Sequence, residues 1–196
     1  MKIQVCGFDP SLTHWGIARA TLDLETGHLD TPFLCVIEPE DIKGKQVRVN
    51  SRDLYKCEQL ARTALQYARE SKVVFVEVPV GSQSARSMVS YAACIGILGT
   101  IKAEGIPLIE VSPTENKVVF TGNKTATKAQ MIAQAVQTYP DANWPRHSRD
   151  GKAGKTSWKA GDIKNSAEHM ADAIAAIHAG CVTPAFSAIL QILKVY

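Results

Sequence analysis

Apolar and polar positions along this chain of 196 residues predict a set of strands followed by alternating strands and helices. Apolar runs at 3–8, 15–24 and 33–38 predict three strands, and the turn LETGHLD before the third favours an antiparallel meander. Residues 53–70 then repeat apolar positions at helical spacing, which predicts an amphipathic helix.

Strands and helices alternate in the rest of the chain. The predicted strands lie at 73–78 and 107–112, and the predicted helices lie at 87–104, from 113, and at 127–139, 166–179 and 184–193. This order predicts an α/β fold with a mixed five-stranded sheet, three strands antiparallel and then two parallel, flanked by helices in a single domain at 1–196. The polar, basic segment at 140–165 is predicted to be a long loop, which usually signals function or disorder.

Composition narrows the class of protein. Hydrophobic residues make up 45% of the chain and charged residues 21%, as in globular proteins. No apolar run approaches the roughly 20 residues of a membrane span, and the N-terminus shows no signal-peptide pattern, so we expect no membrane partner. Five scattered cysteines without a C-x-x-C pair predict reduced thiols and a cytoplasmic protein.

Charge is unevenly distributed. The net charge is only +3, but residues 116–164 contain nine Lys or Arg and three Asp or Glu. A basic block on an otherwise nearly neutral chain suggests a polyanionic partner. A solvated surface loop is the alternative explanation.

Acidic residues occupy unusual positions in three predicted elements. Asp9 ends the first apolar run, and Glu77 lies near the end of the run FVEV. If those strands are parallel neighbours, their backbones lie about 4.8 Å apart, and the carboxylates repel each other unless cations lie between them. Asp172 interrupts an Ala- and Ile-rich helix, on the same helix face as both Glu168 and His169.

These residues form a candidate ligand set of Asp9, Glu77, Asp172 and either Glu168 or His169. Hard oxygen ligands with one imidazole suit Mg²⁺ or Mn²⁺ better than zinc. Two such ions, about 3.5–4 Å apart, would activate a water and stabilise the leaving oxygen in phosphodiester hydrolysis. Each acidic residue also has an ordinary alternative, as a turn residue, an ion-pair partner or a solvent-facing helix residue.

Four sequence blocks resemble, in order, those of the RuvC family of Holliday junction resolvases, in the RNase H-like superfamily. They are GFDPSLTHWGIA at 7–18, FVEVPVGSQSARSMVSYAACIGIL at 75–98, VSPTENKVVFTGNKTATKAQM at 111–131 and EHMADAIAAIHAG at 168–180. The resemblance implies an RNase H-like fold and a homodimer. It also implies a Mg²⁺- or Mn²⁺-dependent endonuclease, with two ions per active site, that cuts opposed strands of a four-way DNA junction.

The resemblance also implies roles for single residues. Asp9, Glu77 and Asp172 match the catalytic, metal-binding carboxylates, with Asp9 between the two ions. His169 takes the fourth position, three residues before the last Asp, as a ligand or a proton carrier, and Glu168 is the alternative. Lys117 and Lys128 match basic residues near the cleaved strand. We also expect DNA contacts from four further residues, namely Lys124, Ser82, Gln83 and Arg86.

Two departures from the family pattern leave the substrate range open. Val80 stands where bacterial members have an aromatic residue at the junction centre, and the 140–165 segment is longer than expected. Both suggest a bacteriophage-type member. A broader fork or flap debranching nuclease and a catalytically silent junction-binding protein are the functional alternatives, and the sequence identifies no branch-migration partner.

Two further segments are predicted to make contacts. The 140–165 segment carries aromatic and basic residues that suit DNA backbone contacts plus base stacking, unless it is an insertion that touches nothing: Trp144, Arg146, His147, Arg149, Lys152, Lys155, Trp158 and Lys159. In the helix at 87–104, small residues would permit close approach of a second copy, or else pack on the chain's own sheet: Ala92, Ala93, Gly96 and Gly99.

Overall fold

The computed structural model describes residues 1–44, 46–154 and 156–193. Its strands are β1 (Lys2–Asp9), β2 (Trp15–Asp23), β3 (Phe33–Ile37), β4 (Val73–Glu77), β5 (Leu108–Val111), β6 (Gly151–Ala153) and β7 (Thr156–Trp158). Its helices are α1 (Val49–Arg69), α2 (Ala85–Ala103), α3 (Pro113–Thr121), α4 (Lys128–Thr138), α5 (Ala167–Cys181) and α6 (Pro184–Leu193). Helix α1 begins at Val49, four residues before the predicted start at 53, because its first turn lacks the apolar spacing on which the prediction was based.

The main sheet has five strands in the order β3-β2-β1-β4-β5. Strands β1, β2 and β3 pair antiparallel, whereas β4 runs parallel to both β1 and β5. The predicted mixed α/β sheet flanked by helices is therefore confirmed. In the β1–β4 ladder the last paired residues are Phe8 and Val76, so both strands end at the same edge.

Alternating side chains of the sheet form two hydrophobic cores, one on each face. Val5 and Phe75 face α5 and belong to the core that α3 to α6 help to close. Phe8 and Trp15 point the other way, into a core closed by α1 and α2. The sheet is thus covered on both faces, which explains the nearly continuous apolar sequence of β4.

Helix α5 lies directly on β1 and β2 because glycine stands at both contact points. A Cβ added at Gly7 would lie 2.0 Å from the carbonyl oxygen of Ala173, and one added at Gly16 would lie 2.0 Å from that of His169. Real Cβ atoms never approach so closely, so a side chain at either position would displace the helix. The two glycines therefore set how near the first turns of α5 come to the end of β1.

The prediction of an irregular loop at 140–165 is wrong in part, because β6 and β7 form an antiparallel pair within it. The carboxylate of Asp150 accepts a hydrogen bond from the Ala160 N–H, and that of Asp162 accepts one from the Lys159 N–H. Strands of three residues stabilised by side-chain bonds carry no hydrophobic period that would predict them. Lys155, between the strands, lies outside the described residues.

The chain leading into this segment is attached to the edge of the main sheet. The Asn143 amide group accepts a hydrogen bond from the Leu34 N–H and donates one to the Leu34 carbonyl, both at 2.8 Å. The next residue, Trp144, is buried in the core, and its indole N–H donates to the Tyr139 carbonyl. The segment therefore starts from a fixed base.

Among the described helices, none is by itself long and apolar enough to cross a membrane. Helices α5 and α6 together reach that length and composition, but they meet at a bend of 72°. Ten residues of α5 are buried inside the protein, which is the ordinary setting of a core helix.

Candidate active site

Asp9 and Glu77 end two adjacent parallel strands. Each stands one residue beyond the last pair of the ladder, Phe8 and Val76, so the two carboxylates lie side by side at one sheet edge. Strand alternation puts them on the face of the sheet that α5 covers, together with Val5. The acidic pair expected from the sequence is therefore formed by strand register alone.

Helix α5 brings two more of the predicted residues to this edge. The Nδ1 atom of His169 lies 2.7 Å from Oδ2 of Asp9 and hydrogen-bonds to it. Asp172 follows one turn later on the same helix face, close enough for the charges of Asp9 and Glu77 to raise its pKa. The structure thus brings together Asp9, Glu77, His169 and Asp172.

Burial and mutual repulsion perturb the acidic groups. Burial, followed by the charge of Asp9, raises the pKa of Glu77 to about 7. Burial, followed by the charges of Asp9 and Glu77, raises the pKa of Asp172 to about 8. The hydrogen bond to Asp9 raises the pKa of His169 above its ordinary value. The carboxylates at this edge of the sheet therefore repel one another, and binding of protons or cations would relieve that repulsion.

The donor set fits a hard divalent cation, because three carboxylates and an imidazole are ligands that Mg²⁺ and Mn²⁺ accept. The raised pKa values of Glu77 and Asp172 point the same way, since a bound cation would favour their charged forms. Within residues 1–44, 46–154 and 156–193, however, no group of three His, Cys, Asp or Glu stands at metal-binding spacing as the side chains lie. Binding would therefore require side-chain adjustment.

Asn116 is a site residue that the sequence reasoning missed. Its side chain is fully buried, and Nδ2 donates to Oε2 of Glu77 at 2.5 Å, which lowers the pKa of that carboxyl. Oδ1 has no hydrogen-bond partner among the residues that the structure describes. The available signal was helical spacing, because Asn116 lies four residues before the buried Phe120 on the inner face of α3.

His14 is a second missed residue. It lies in the turn between β1 and β2, and its ring stacks on that of His169, with centroids 5.3 Å apart and planes 2° apart. Its Nδ1 also hydrogen-bonds to the Thr13 hydroxyl at 3.1 Å. Its place in the opening motif, five residues after Asp9, was the only signal in the sequence.

Two of the predicted basic residues border the acidic cluster. A cavity of about 200 Å³ is lined by Lys117, Lys128, Glu77 and Asp172, among others. The Nζ atom of Lys128 forms an ion pair with Oε1 of Glu168 at 2.5 Å. Glu168, the alternative fourth ligand, is therefore engaged by a lysine, whereas His169 bonds directly to Asp9.

The other predicted DNA contacts lie apart from this cavity. Lys124, Ser82 and Gln83 are exposed. Arg86 binds the mostly buried Asp53 of α1 through both terminal nitrogens, at 2.5 and 2.6 Å. This bidentate ion pair fixes the start of α2 on α1, so Arg86 has a structural partner. The side chain of Val80 is 81% exposed.

Comparisons with known proteins agree with the sequence motifs. No protein-family model matches the chain. The crossover junction endodeoxyribonuclease RuvC of Anaplasma marginale (strain St. Maries) is 25% identical over 157 residues, which cover 77% of this chain and 90% of that protein.

Two solved structures share the fold. A T. thermophilus RuvC in complex with a Holliday junction substrate has a TM-score of 0.60 at 17% identity, over 90% of this chain and 92% of that one. A Thermus thermophilus RuvC structure gives the same score and identity over 96% of both chains. The resemblance to RuvC that the motifs predicted is confirmed, and so is the RNase H-like fold.

Proposed function

We propose that this chain is a Mg²⁺- or Mn²⁺-dependent endonuclease that resolves four-way DNA junctions by paired nicks. The observation that carries the proposal is the convergence of Asp9, Glu77 and Asp172 on one edge of the sheet. The curated relative is named a crossover junction endodeoxyribonuclease, and one structural neighbour is a complex with a Holliday junction. We place this activity in a single domain and in the cytoplasm of a bacterial or phage-infected cell, and the five free thiols support that setting.

Asp9, Glu77 and Asp172 would hold two ions, with His169 as the fourth ligand or as a proton carrier. When bound, the ions supply an activated water and charge stabilisation at the leaving oxygen. The hydrogen bond between His169 and Asp9 fixes the orientation of the imidazole. If Nδ1 carries the proton of this bond, Nε2 is the nitrogen that remains for a ligand or a proton.

Lys117 and Lys128 would neutralise the phosphate on which the carboxylates act. Both line the cavity beside Glu77 and Asp172, and the charge of Lys117 lowers the pKa of both carboxyl groups. Positive charge at the position of a phosphodiester stabilises the additional negative charge of the transition state. The ion pair with Glu168 holds Lys128 at the cavity wall.

A homodimer would place two such sites on opposed strands, with a two-fold axis that matches the junction. The outward face of α2 supports this arrangement, because Met88, Val89 and Ile95 are 44–50% exposed there. A Cβ added at Gly96 or Gly99 would meet nothing within 4 Å in the described part of the chain. Packing of those two glycines on the chain's own sheet is therefore ruled out, although Ala93 does face the core.

A second candidate function is cleavage of a wider range of branched DNA. Val80 favours it, because this exposed aliphatic side chain cannot stack on a base at the junction centre. The complete acidic cluster argues against the catalytically silent alternative, because burial and mutual repulsion raise the pKa of Glu77 and Asp172, and such perturbed groups are typical of functional sites.

The decisive experiment is cleavage of an immobile synthetic four-way junction beside a linear duplex and a three-way fork, with Mg²⁺, Mn²⁺ or a chelator. We expect paired symmetric nicks in the junction that require the metal. Equal cutting of the fork would establish the wider branch nuclease. Tight junction binding without any cutting would leave a recognition protein and contradict the proposal.

Asp9→Asn supplies the matched control. The substitution keeps the shape of the side chain and removes its charge, so we expect cleavage to fall at least about a hundredfold while junction affinity stays within about threefold. An equal loss of binding and cleavage would contradict the assignment of Asp9 as a metal ligand.

A further inference from the structure

We propose that the basic hairpin, defined as residues 146–164 and containing β6 and β7, contacts the DNA backbone beside the candidate active site. This inference rests on the proposed function and adds a second DNA-binding surface to it. The basic hairpin holds six Lys or Arg and only two acidic residues. The charges, hydrogen bonds and position of the segment each support a DNA contact.

Its cations are available to a ligand. Within the described chain, the side chains of Arg149, Lys152, Lys159 and Lys164 form no ion pair, and all four residues are exposed. Elsewhere, Arg19, Arg69 and Lys102 pair with glutamates on the protein surface. The basic hairpin thus presents four exposed cations that form no ion pair with the described residues.

The two acidic residues of the segment are engaged in its own backbone. Asp150 accepts from the Ala160 N–H at 2.8 Å, and Asp162 accepts from the Lys159 N–H at 2.6 Å. Both carboxylates therefore stabilise the hairpin, and neither forms an ion pair with a cation among the hairpin residues that the structure describes. This arrangement gives a folded basic surface, which loses less conformational entropy on binding than a disordered basic tail.

The aromatic residues of the segment are engaged within the protein to different degrees. Trp144 is buried, and Trp158 lies against Gly151, where an added Cβ would be 2.7 Å from the indole. The His147 ring stacks on Trp158 with centroids 4.5 Å apart. The expected base stacking is therefore wrong for the buried Trp144, whereas for the half-buried Trp158 it stays a prediction, and the contact that the exposed side chains of the hairpin favour is between cations and phosphates.

The position of the basic hairpin links it to the catalytic edge. Its base is closed by a hydrogen bond from the N–H of its last residue, Lys164, to the carbonyl of Pro145, which directly precedes the hairpin. Lys164 precedes His169 by five residues, so at most about 18 Å of chain separates their Cα atoms. Five base pairs of duplex have a similar length, at about 3.4 Å per step. The base of the hairpin therefore lies within about five base pairs of the candidate active site, which is close enough to contact a duplex that extends from Asp9 in that direction.

The experiment compares two triple variants that remove equal charge. The first is Arg149→Ala, Lys152→Ala and Lys159→Ala in the basic hairpin. The matched control is Lys2→Ala, Arg62→Ala and Lys72→Ala, of which Lys2 and Lys72 lie at the opposite end of the sheet from Asp9. Affinity for a four-way junction is measured in chelator across a salt series, and cleavage is measured in Mg²⁺.

We expect the hairpin variant to lose about tenfold or more in junction affinity near 0.1 M salt. Its salt slope, log Kd against log salt, should fall by about two to three, because each lost phosphate contact removes about 0.9. The control variant should change the slope by less than one. Turnover at a saturating junction concentration should stay unchanged in both variants, because the hairpin contacts the DNA at a place distant from the reacting atoms.

Equal slopes in the wild type and the hairpin variant would overturn the inference, and so would equal losses in the two variants. Neither result would affect the proposed function, which depends on metal-dependent cleavage by the wild type. Conversely, a wild type that cuts nothing while the hairpin variant loses slope would refute the nuclease and retain the DNA contact.

Discussion

Asp172 is a buried acid whose protonation is linked to folding. Its ordinary pKa is 3.8, and burial with the charges of Asp9 and Glu77 raises the folded value to about 8. Between these values the folded protein binds the proton more tightly than the unfolded chain does. Its contribution to stability is therefore complete below about pH 4 and is lost as the pH rises through about 8.

We predict that Asp172→Asn stabilises the metal-free protein at alkaline pH. The neutral amide has no charge to desolvate, so the free energy of unfolding should rise by about 2 kcal/mol or more at pH 9 and by much less at pH 4. Urea unfolding of both proteins in chelator across that pH range measures the difference. A constant difference between pH 4 and pH 9 would contradict the linkage.

We predict that His14 positions His169 through ring stacking. His14→Ala should reduce turnover roughly two- to tenfold, because an aromatic pair contributes about 0.5–1.5 kcal/mol, while junction affinity is unchanged. His14→Phe keeps the stack and should restore most of the activity. The His169 ring resonances in NMR spectra of the metal-free protein should shift in the Ala variant only. A Phe variant as slow as the Ala variant would refute a stacking role.

The residues of the site differed in how far the sequence could predict them. Asp9 and Glu77 could be paired because parallel strands place their ends together, and helical spacing joined His169 to Asp172. Helical spacing marks Asn116 as an inner-face residue of α3, but its bond to Glu77 depends on how α3 packs on α5, which the spacing does not show. His14 stacks on His169 only because α5 packs on the sheet at this point, and the sequence alone does not show that packing.

At the level of elements, the contact of α5 with β1 and β2 connects the hydrophobic core with the candidate active site. Gly7 and Gly16 let the helix backbone touch two strands, and His169 provides one of those backbone contacts. The same helix therefore closes a hydrophobic core and carries two of the four candidate ligands. Close packing of this kind transmits sub-ångström changes in the core to side chains at the site.

We predict that Gly7→Ala lowers both stability and activity. The new methyl would clash with the Ala173 carbonyl, so unfolding free energy should fall by about 1–3 kcal/mol or more. Gln137→Ala is the control, because this side chain is exposed on α4 and alanine is among the best helix formers. Chemical denaturation measures both variants. Tolerance of Gly7→Ala without loss would mean that α5 is free to shift.

Elements with a clear hydrophobic period were predictable and short ones were not. The apolar run of β4 and the Ala- and Ile-rich α5 were recognised because burial imposes a pattern over many residues. Strands β6 and β7 have three residues each and are exposed over most of their length, so they bury no repeating set. They depend on specific hydrogen bonds such as those of Asp150 and Asp162, and hydrophobic periodicity does not predict such bonds.

For the whole molecule, we predict that the outward face of α2 forms the dimer. Ile95→Lys should yield a monomer at micromolar concentration in analytical ultracentrifugation, because a charge would be buried at the interface. Ile192→Lys on α6, an isoleucine that is even more exposed than Ile95, is the control and should remain dimeric. The monomer should nick junction strands singly, without the paired timing of the wild type. A wild-type monomer would contradict the prediction.

The attachment of Asn143 to Leu34 also bears on self-association. Strand β3 is one rim of the main sheet, and its outward backbone groups could otherwise template a strand from another molecule. The Asn143 amide bonds to both the N–H and the C=O of Leu34, the second residue of that strand. A single side chain thus imitates a neighbouring strand and blocks the start of this rim against pairing with a strand of another molecule, which is how aggregation begins.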